Sequence, residues 1–120
     1  MTMTTPDPSP EALDPEDAKI VTLARGARGR VAAAAGAAVR DETGRTYSAA
    51  TVTLPSLSLS ALALAVAQAV ASGARGVEAA AVVGEEPSEH DVEVLRDLAG
   101  PGVPVISAHA DGSVRSTLLT

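Results

Sequence analysis

The apolar positions of this chain change period several times, and each change predicts an element. Ile20, Leu23, Ala24 and Ala27 recur at helical spacing behind Asp14-Pro15-Glu16-Asp17. There Asp suits the N-cap, Pro the first helical position, and the acids complement the positive helix end. The spacing predicts a helix through about residue 28, with Gly26 and Gly29 weakening its end. Residues 34–40 and 45–53 read as the two strands of a hairpin around Asp41-Glu42-Thr43-Gly44. The second arm carries Thr46, Tyr47, Thr51, Val52 and Thr53, residue types that suit a pleated surface.

Pro55 interrupts this pattern, and residues 56–73 then carry two periods at once. Leu57, Leu59 and the alternating Ala61, Ala63 and Ala65 fit a strand, whereas Leu62, Val66, Ala69 and Val70 fit a helix. The length, the alanine content and the closing Gly73 favour the helix. Further on, residues 77–83 form a short buried strand. Residues 88–98 form an amphipathic helix with Val92, Leu95 and Leu98 inward. Residues 103–107 are a strand, and residues 112–118 are another at the sheet edge. The order α-β-β-α-β-α-β-β predicts an α/β fold: a three-layer α-β-α sandwich with a mixed five-stranded sheet and helices on both faces. Residues 1–13 read as a disordered acidic leader and residues 14–120 as one domain without internal repeats.

Composition narrows the function. The chain has 120 residues, a formal charge of -6, one aromatic residue (Tyr47) and no cysteine. Without cysteine there is neither a disulfide framework nor a thiolate metal site. An acidic chain without aromatic platforms is unsuited to single-stranded nucleic acid. No basic start followed by an apolar stretch marks a signal peptide. The apolar run Ala61–Ala71 is too short to cross a bilayer. The expectation is a cytoplasmic protein that binds neither nucleic acid nor membrane.

Several segments, in order, resemble the small cytidine deaminases. That family shows V-G-A-A-(V/L), then d-G-(k/r)-x-Y-x-G, then L-S-L-C-A-E opening a helix that ends A-V-x-x-G, then P-C-G-x-C-R-Q-V-L. Here stand Gly36-Ala37-Ala38-Val39, Gly44-Arg45-Thr46-Tyr47, Leu57-Ser58-Leu59-Ser60-Ala61-Leu62, Ala69-Val70-Ala71-Ser72-Gly73 and Pro87-Ser88-Glu89-His90-Asp91-Val92-Glu93-Val94-Leu95. The resemblance spans roughly residues 16–119 and rests on the collinear series, since no single motif is strong.

The resemblance implies the same fold, a homo-oligomer (dimer or tetramer), and a zinc ion whose bound water attacks cytosine while a Glu moves the proton. Carried over residue by residue, the zinc-ligand positions hold Ser60, Ser88 and Asp91, and the Glu position holds Leu62. Neutral hydroxyls are poor zinc ligands beside thiolates, and leucine carries no proton. The Arg found in many three-Cys members is Ala63 here; the ribose contacts fall near Thr51 and Thr53, and the base-packing aromatic on Ala33. The chain is therefore expected to be a degenerate member with no catalytic residue, no metal and no cofactor.

Each candidate residue also has a structural reading. Ser88 and Asp91 fit an N-cap and a shortened capping box better than metal ligands, because helix neighbours such as His90 and Asp91 face apart. Ser60 fits a helix start, with neither His90 nor His109 placed beside it as a base. His109 falls in an Asp-Gly turn, and Tyr47 reads as a core or edge residue. Arg25, Arg28 and Arg30 read as a solvated face or a site for an acidic partner. Three functions remain open. The first is a pseudoenzyme acting by self-assembly or protein binding, the second a nucleoside or small-metabolite binder, and the third a hydrolase, either a deaminase of cytidine to uridine or an enzyme using Ser60.

Overall fold

The computed structural model describes residues 13–120. In chain order its elements are α1 (Pro15–Val31), β1 (Gly36–Asp41), β2 (Thr46–Ala50), β3 (Val52–Leu54), β4 (Leu57–Leu59) and α2 (Ala61–Ala71). Then follow β5 (Val77–Val83), α3 (Glu89–Ala99), β6 (Pro104–Ala108) and β7 (Val114–Leu119). The expected leader lies outside the described residues except for Leu13, which packs against the core under α1.

One sheet runs β2-β1-β5-β6-β7. Its β5–β6 pair is parallel and the other pairs are antiparallel. Successive side chains of the central strands feed two cores, as the period of two requires. Ala37, Val39, Ala80, Val82 and Val105 meet Leu62, Ala65, Val66 and Ala69 of α2 and Leu95 of α3. Ala38, Ala79, Ala81, Val83 and Ile106 meet Ile20, Val21 and Ala24 of α1. Burial on both faces explains why residues 77–83 read as a nearly continuous apolar run. The expected three-layer sandwich is the observed one.

Small side chains bring the layers close. A Cβ on Gly36 would collide with the carbonyl of Ala24 and lie 2.8 Å from the Arg28 Cβ. The helix α1 continues past residue 28 to Val31 with Gly26 and Gly29 inside it. Burial of Ala24 and Ala27 against the sheet outweighs the cost of Gly26 and Gly29.

The structure corrects the single strand expected over 45–53. Thr51 leaves the ladder: its N–H and hydroxyl donate to the Ala35 carbonyl at 3.1 and 3.3 Å, and its Oγ1 accepts from the Ala35 N–H at 3.2 Å. Past Thr51, β3 quits the main sheet and pairs with β4, Val52 opposite Leu59, around a Pro55-Ser56 turn. The helix expected over 56–73 is corrected too. Both of its periods are real but successive, the strand period ending at Leu59 and the helical one starting at Ala61. On α3, Leu95 is buried and Val94, Leu98 and Ala99 pack beside it. Val92, expected inward, instead lines a groove toward Leu118 and Leu119 of β7. Other element ends differ from expectation by one or two residues, the usual fraying.

Candidate functional site

Two helices on one face of the sheet begin side by side. Ser60 caps α2, its Oγ accepting from the Ala63 N–H at 3.1 Å. Ser88 caps α3 in a full capping box: its Oγ accepts from the Asp91 N–H at 3.1 Å, and Asp91 Oδ2 accepts from the Ser88 N–H at 3.2 Å. The other oxygen of Asp91 accepts from the Ser60 hydroxyl at 2.5 Å. One carboxylate, 8 % exposed, thus bonds the starts of both helices. A bond this short between a hydroxyl and a carboxylate is the charge-assisted kind.

Ser60 and Asp91 border a cleft of about 230 Å³. Its remaining lining is Ala35, Thr51, Ser58, Leu59, Ala61, Leu62, Val82, Glu85 and Glu86. Leu62 is 1 % exposed and belongs to the α2-side core. The structure brings Ser60, Ser88 and Asp91 together through these hydrogen bonds. The capping box expected from local sequence is present. What local reasoning missed is the Ser60–Asp91 bond across 31 residues; the collinear resemblance alone carried a signal for it. Ser58 was also missed.

Other candidates lie elsewhere. Thr51 reaches the cleft but is engaged with the Ala35 backbone. Thr53 is exposed on β3, and neither it nor Ala33 lines the cleft. Tyr47 sits on the edge strand β2 and donates to Asp41 Oδ2 at 2.9 Å. His90 is exposed at the start of α3. His109 precedes the 110–112 turn, its Nδ1 lying 3.2 Å from Arg115 Nη2. Arg25 and Arg30 are exposed, whereas Arg28 is half-buried and donates to the Ala34 carbonyl at 3.4 Å.

Asp41 forms a second buried polar cluster at the β1–β2 turn. Oδ1 accepts from the Thr43 N–H and hydroxyl at 2.9 and 2.7 Å and from the Arg45 N–H at 3.0 Å. Burial pushes its pKa up, but the bonds from Thr43, Tyr47 and Arg45 outweigh that and hold it below the usual carboxylate value. The Tyr47 hydroxyl is pushed up, first by its bond to Asp41, since ionising it would set two anions together.

A mixed five-stranded sheet with two helix starts converging on a cleft over its β5 strand defines a deaminase-type α-β-α domain. The chain belongs to the cytidine deaminase-like family, whose profile matches residues 13–112. It is similar to the cytidine deaminase from Burkholderia pseudomallei: 27% identity, 85% of this chain and 89% of that one covered, TM-score 0.73. The cytidine deaminases from Mycobacterium leprae (19% identity, 84% and 90% covered, TM-score 0.68) and Mycobacterium tuberculosis (23%, 70% and 81%, 0.60) share the fold. No curated protein matches the chain.

The family implies zinc, so the donor set decides whether it fits here. Zinc sites of this type use thiolate or imidazole. The three positions here offer two neutral hydroxyls and one carboxylate, and every one of these groups is already bonded within the network. Among the described residues no group of three or more His, Cys, Asp or Glu is placed to share an ion. The residues do not fit zinc. Among the described residues, no helix is long and apolar enough to cross a membrane.

Proposed function

We propose that this chain is a non-catalytic, cytidine-deaminase-like cytoplasmic protein that acts by assembling with itself or by binding another protein. The observation that carries the reading is the closed network of Ser60, Ser88 and Asp91, beside a fully buried Leu62 at the position of the proton-moving Glu. A zinc-activated water would need free donors at the first three and a titratable group at the fourth. Exposed apolar residues support the binding half of the reading: Leu54 and Leu57 on the β3–β4 hairpin are 57 and 49 % exposed, and Val70 on α2 is 54 % exposed. A two-stranded hairpin is marginal in water on its own, so a covering surface would stabilise it.

The test is elemental analysis for zinc on untagged protein, run beside a cytidine deamination assay and sedimentation equilibrium. The expected result is no stoichiometric zinc, no uridine formed and a mass above the monomer. One zinc per chain with chelator-sensitive deamination overturns the reading. A second reading, a nucleoside binder, rests on the persistence of the 230 Å³ cleft with Thr51, Ser58 and Glu85 on its walls. It requires cytidine, uridine or deoxycytidine to raise Tm, because a ligand of the native state alone stabilises it.

A further inference from the structure

We infer that the Asp91 carboxylate is this fold's own replacement for a metal centre, a charged cross-link that holds the starts of α2 and α3 together with no ion. This deepens the reading above by assigning a role to the same three positions, and it depends on their placement rather than on a lack of activity.

Three observations carry it. Both oxygens of Asp91 are used, one on each helix: Oδ1 on Ser60 of α2 and Oδ2 on the Ser88 N–H of α3. The carboxylate is nine-tenths buried, and none of the ion pairs among the described residues involves it. Its counter-charge is then the positive end of two helices, each carrying roughly half a charge at its unbonded N–H groups. The third observation is the dual bonding of Ser60, which accepts from the Ala63 N–H while donating to Asp91. A hydroxyl can do both at once, whereas a thiolate only accepts. Serine at that position therefore couples the α2 cap to the α3 carboxylate as a metal would couple two ligands.

The capping box and the cross-link are separable. Asp91→Glu keeps an S-x-x-E capping box, but its longer arm displaces the oxygen that meets Ser60. Asp91→Asn keeps the shape and removes the charge.

The experiment is a double-mutant cycle in the full chain, Ser60→Ala against Asp91→Asn, read by thermal unfolding with and without chelator. Each single change is expected to lower Tm by roughly 4–8 °C, the shift of about one capping bond in a domain of this size. The double variant is expected to fall clearly short of the sum, since the charged Ser60–Asp91 bond can be lost only once. Additive losses overturn the proposal, as does a wild-type Tm that chelator lowers. If Asp91→Asn does not fold, Asp91→Glu takes its place. Amide exchange at Ala63 is then expected to quicken while the start of α3 stays protected; an unchanged Ala63 overturns the cross-link.

A gain-of-site variant tests the convergence itself. The triple change Ser60→Cys, Ser88→Cys, Asp91→Cys is expected to bind one Co²⁺ per chain, with the visible absorption of a tetrahedral thiolate site and a Tm raised by metal. A folded triple variant without that absorption overturns the proposal. Deamination by the wild-type chain would sink the functional reading while leaving the cycle's coupling intact, so the two failures are distinguishable.

Discussion

Asp41 and Asp91 are both buried carboxylates that accept from hydroxyl and backbone donors, yet they hold different things together. All partners of Asp41 lie within six residues of it. It closes a turn that β1 and β2 would form wherever the hairpin was placed. Asp91 has one local partner, Ser88, and one 31 residues away, Ser60. Its second bond exists only once α2 and α3 have docked on the sheet. The same chemistry is local bracing in one place and tertiary bracing in the other. The difference teaches which bonds report the tertiary fold: those between elements that no local rule requires.

The largest effect that would sharpen this contrast is at the cleft wall. Leu62→Ala is expected to cost about 2–5 kcal/mol, the usual loss for a fully buried leucine. Leu62→Glu is expected to cost at least as much, because it buries a charge without a partner. Urea unfolding measures both; a Leu62→Glu chain as stable as wild type would mean the cleft still accommodates a titratable group there.

Next in size is the spatial reach of the two carboxylates. Asp41→Ala is expected to speed amide exchange in β1, β2 and their turn, and Asp91→Ala at the starts of both α2 and α3. Exchange mapped by mass spectrometry decides it. Loosening confined to α3 in the Asp91 variant would reduce that residue to an ordinary cap and erase the contrast.

A smaller effect appears with pH. Asp41 has a folded pKa below its ordinary value of 3.8. Its contribution is present above pH 3.8 and is lost as pH falls through the depressed folded value. Asp41→Asn is expected to flatten the fall in Tm below that pH. A wild-type acid limb that Asp41→Asn leaves unaltered would show that other carboxylates carry it.

The smallest expected effect is at the same cluster on the alkaline side. Tyr47 has a pKa raised above 10.0, so its bond stabilises fully below pH 10 and is lost as pH rises through the folded value. Tyr47→Phe is expected to change Tm little at neutral pH and to remove part of the decline above pH 10. Parallel thermal scans of the two chains at high pH check this.

Much of the fold was legible because its signals are local. Asp14-Pro15 marked the start of α1, Ser88 with Asp91 marked α3, and the run at 77–83 marked a doubly buried strand. Misreadings fell where two local signals overlapped or a long-range bond intervened. The alternation at Leu57 and Leu59 runs straight into the helical pattern, and Ser60 alone divides them. The break at Thr51 is made by Ala35, sixteen residues away. Val92 faces a groove because β7 lies beside α3, a placement invisible in the period of α3.

By itself, the sequence determined the element types outside residues 51–60, the two-sided burial of the sheet, and the identity of the groups at positions 60, 62, 88 and 91. Those depend on side-chain chemistry and on periods of 2 and 3.6 residues, which act over a few neighbours. Only the tertiary structure decided that Ser60, Leu62 and Asp91 meet at one cleft with Ser88 bonded to Asp91 beside it, that Asp91 reaches Ser60, and that β3 and β4 pair apart from the main sheet. Such contacts join residues far apart in the chain, and they form only after the packed layers have overcome the entropy of bringing them together.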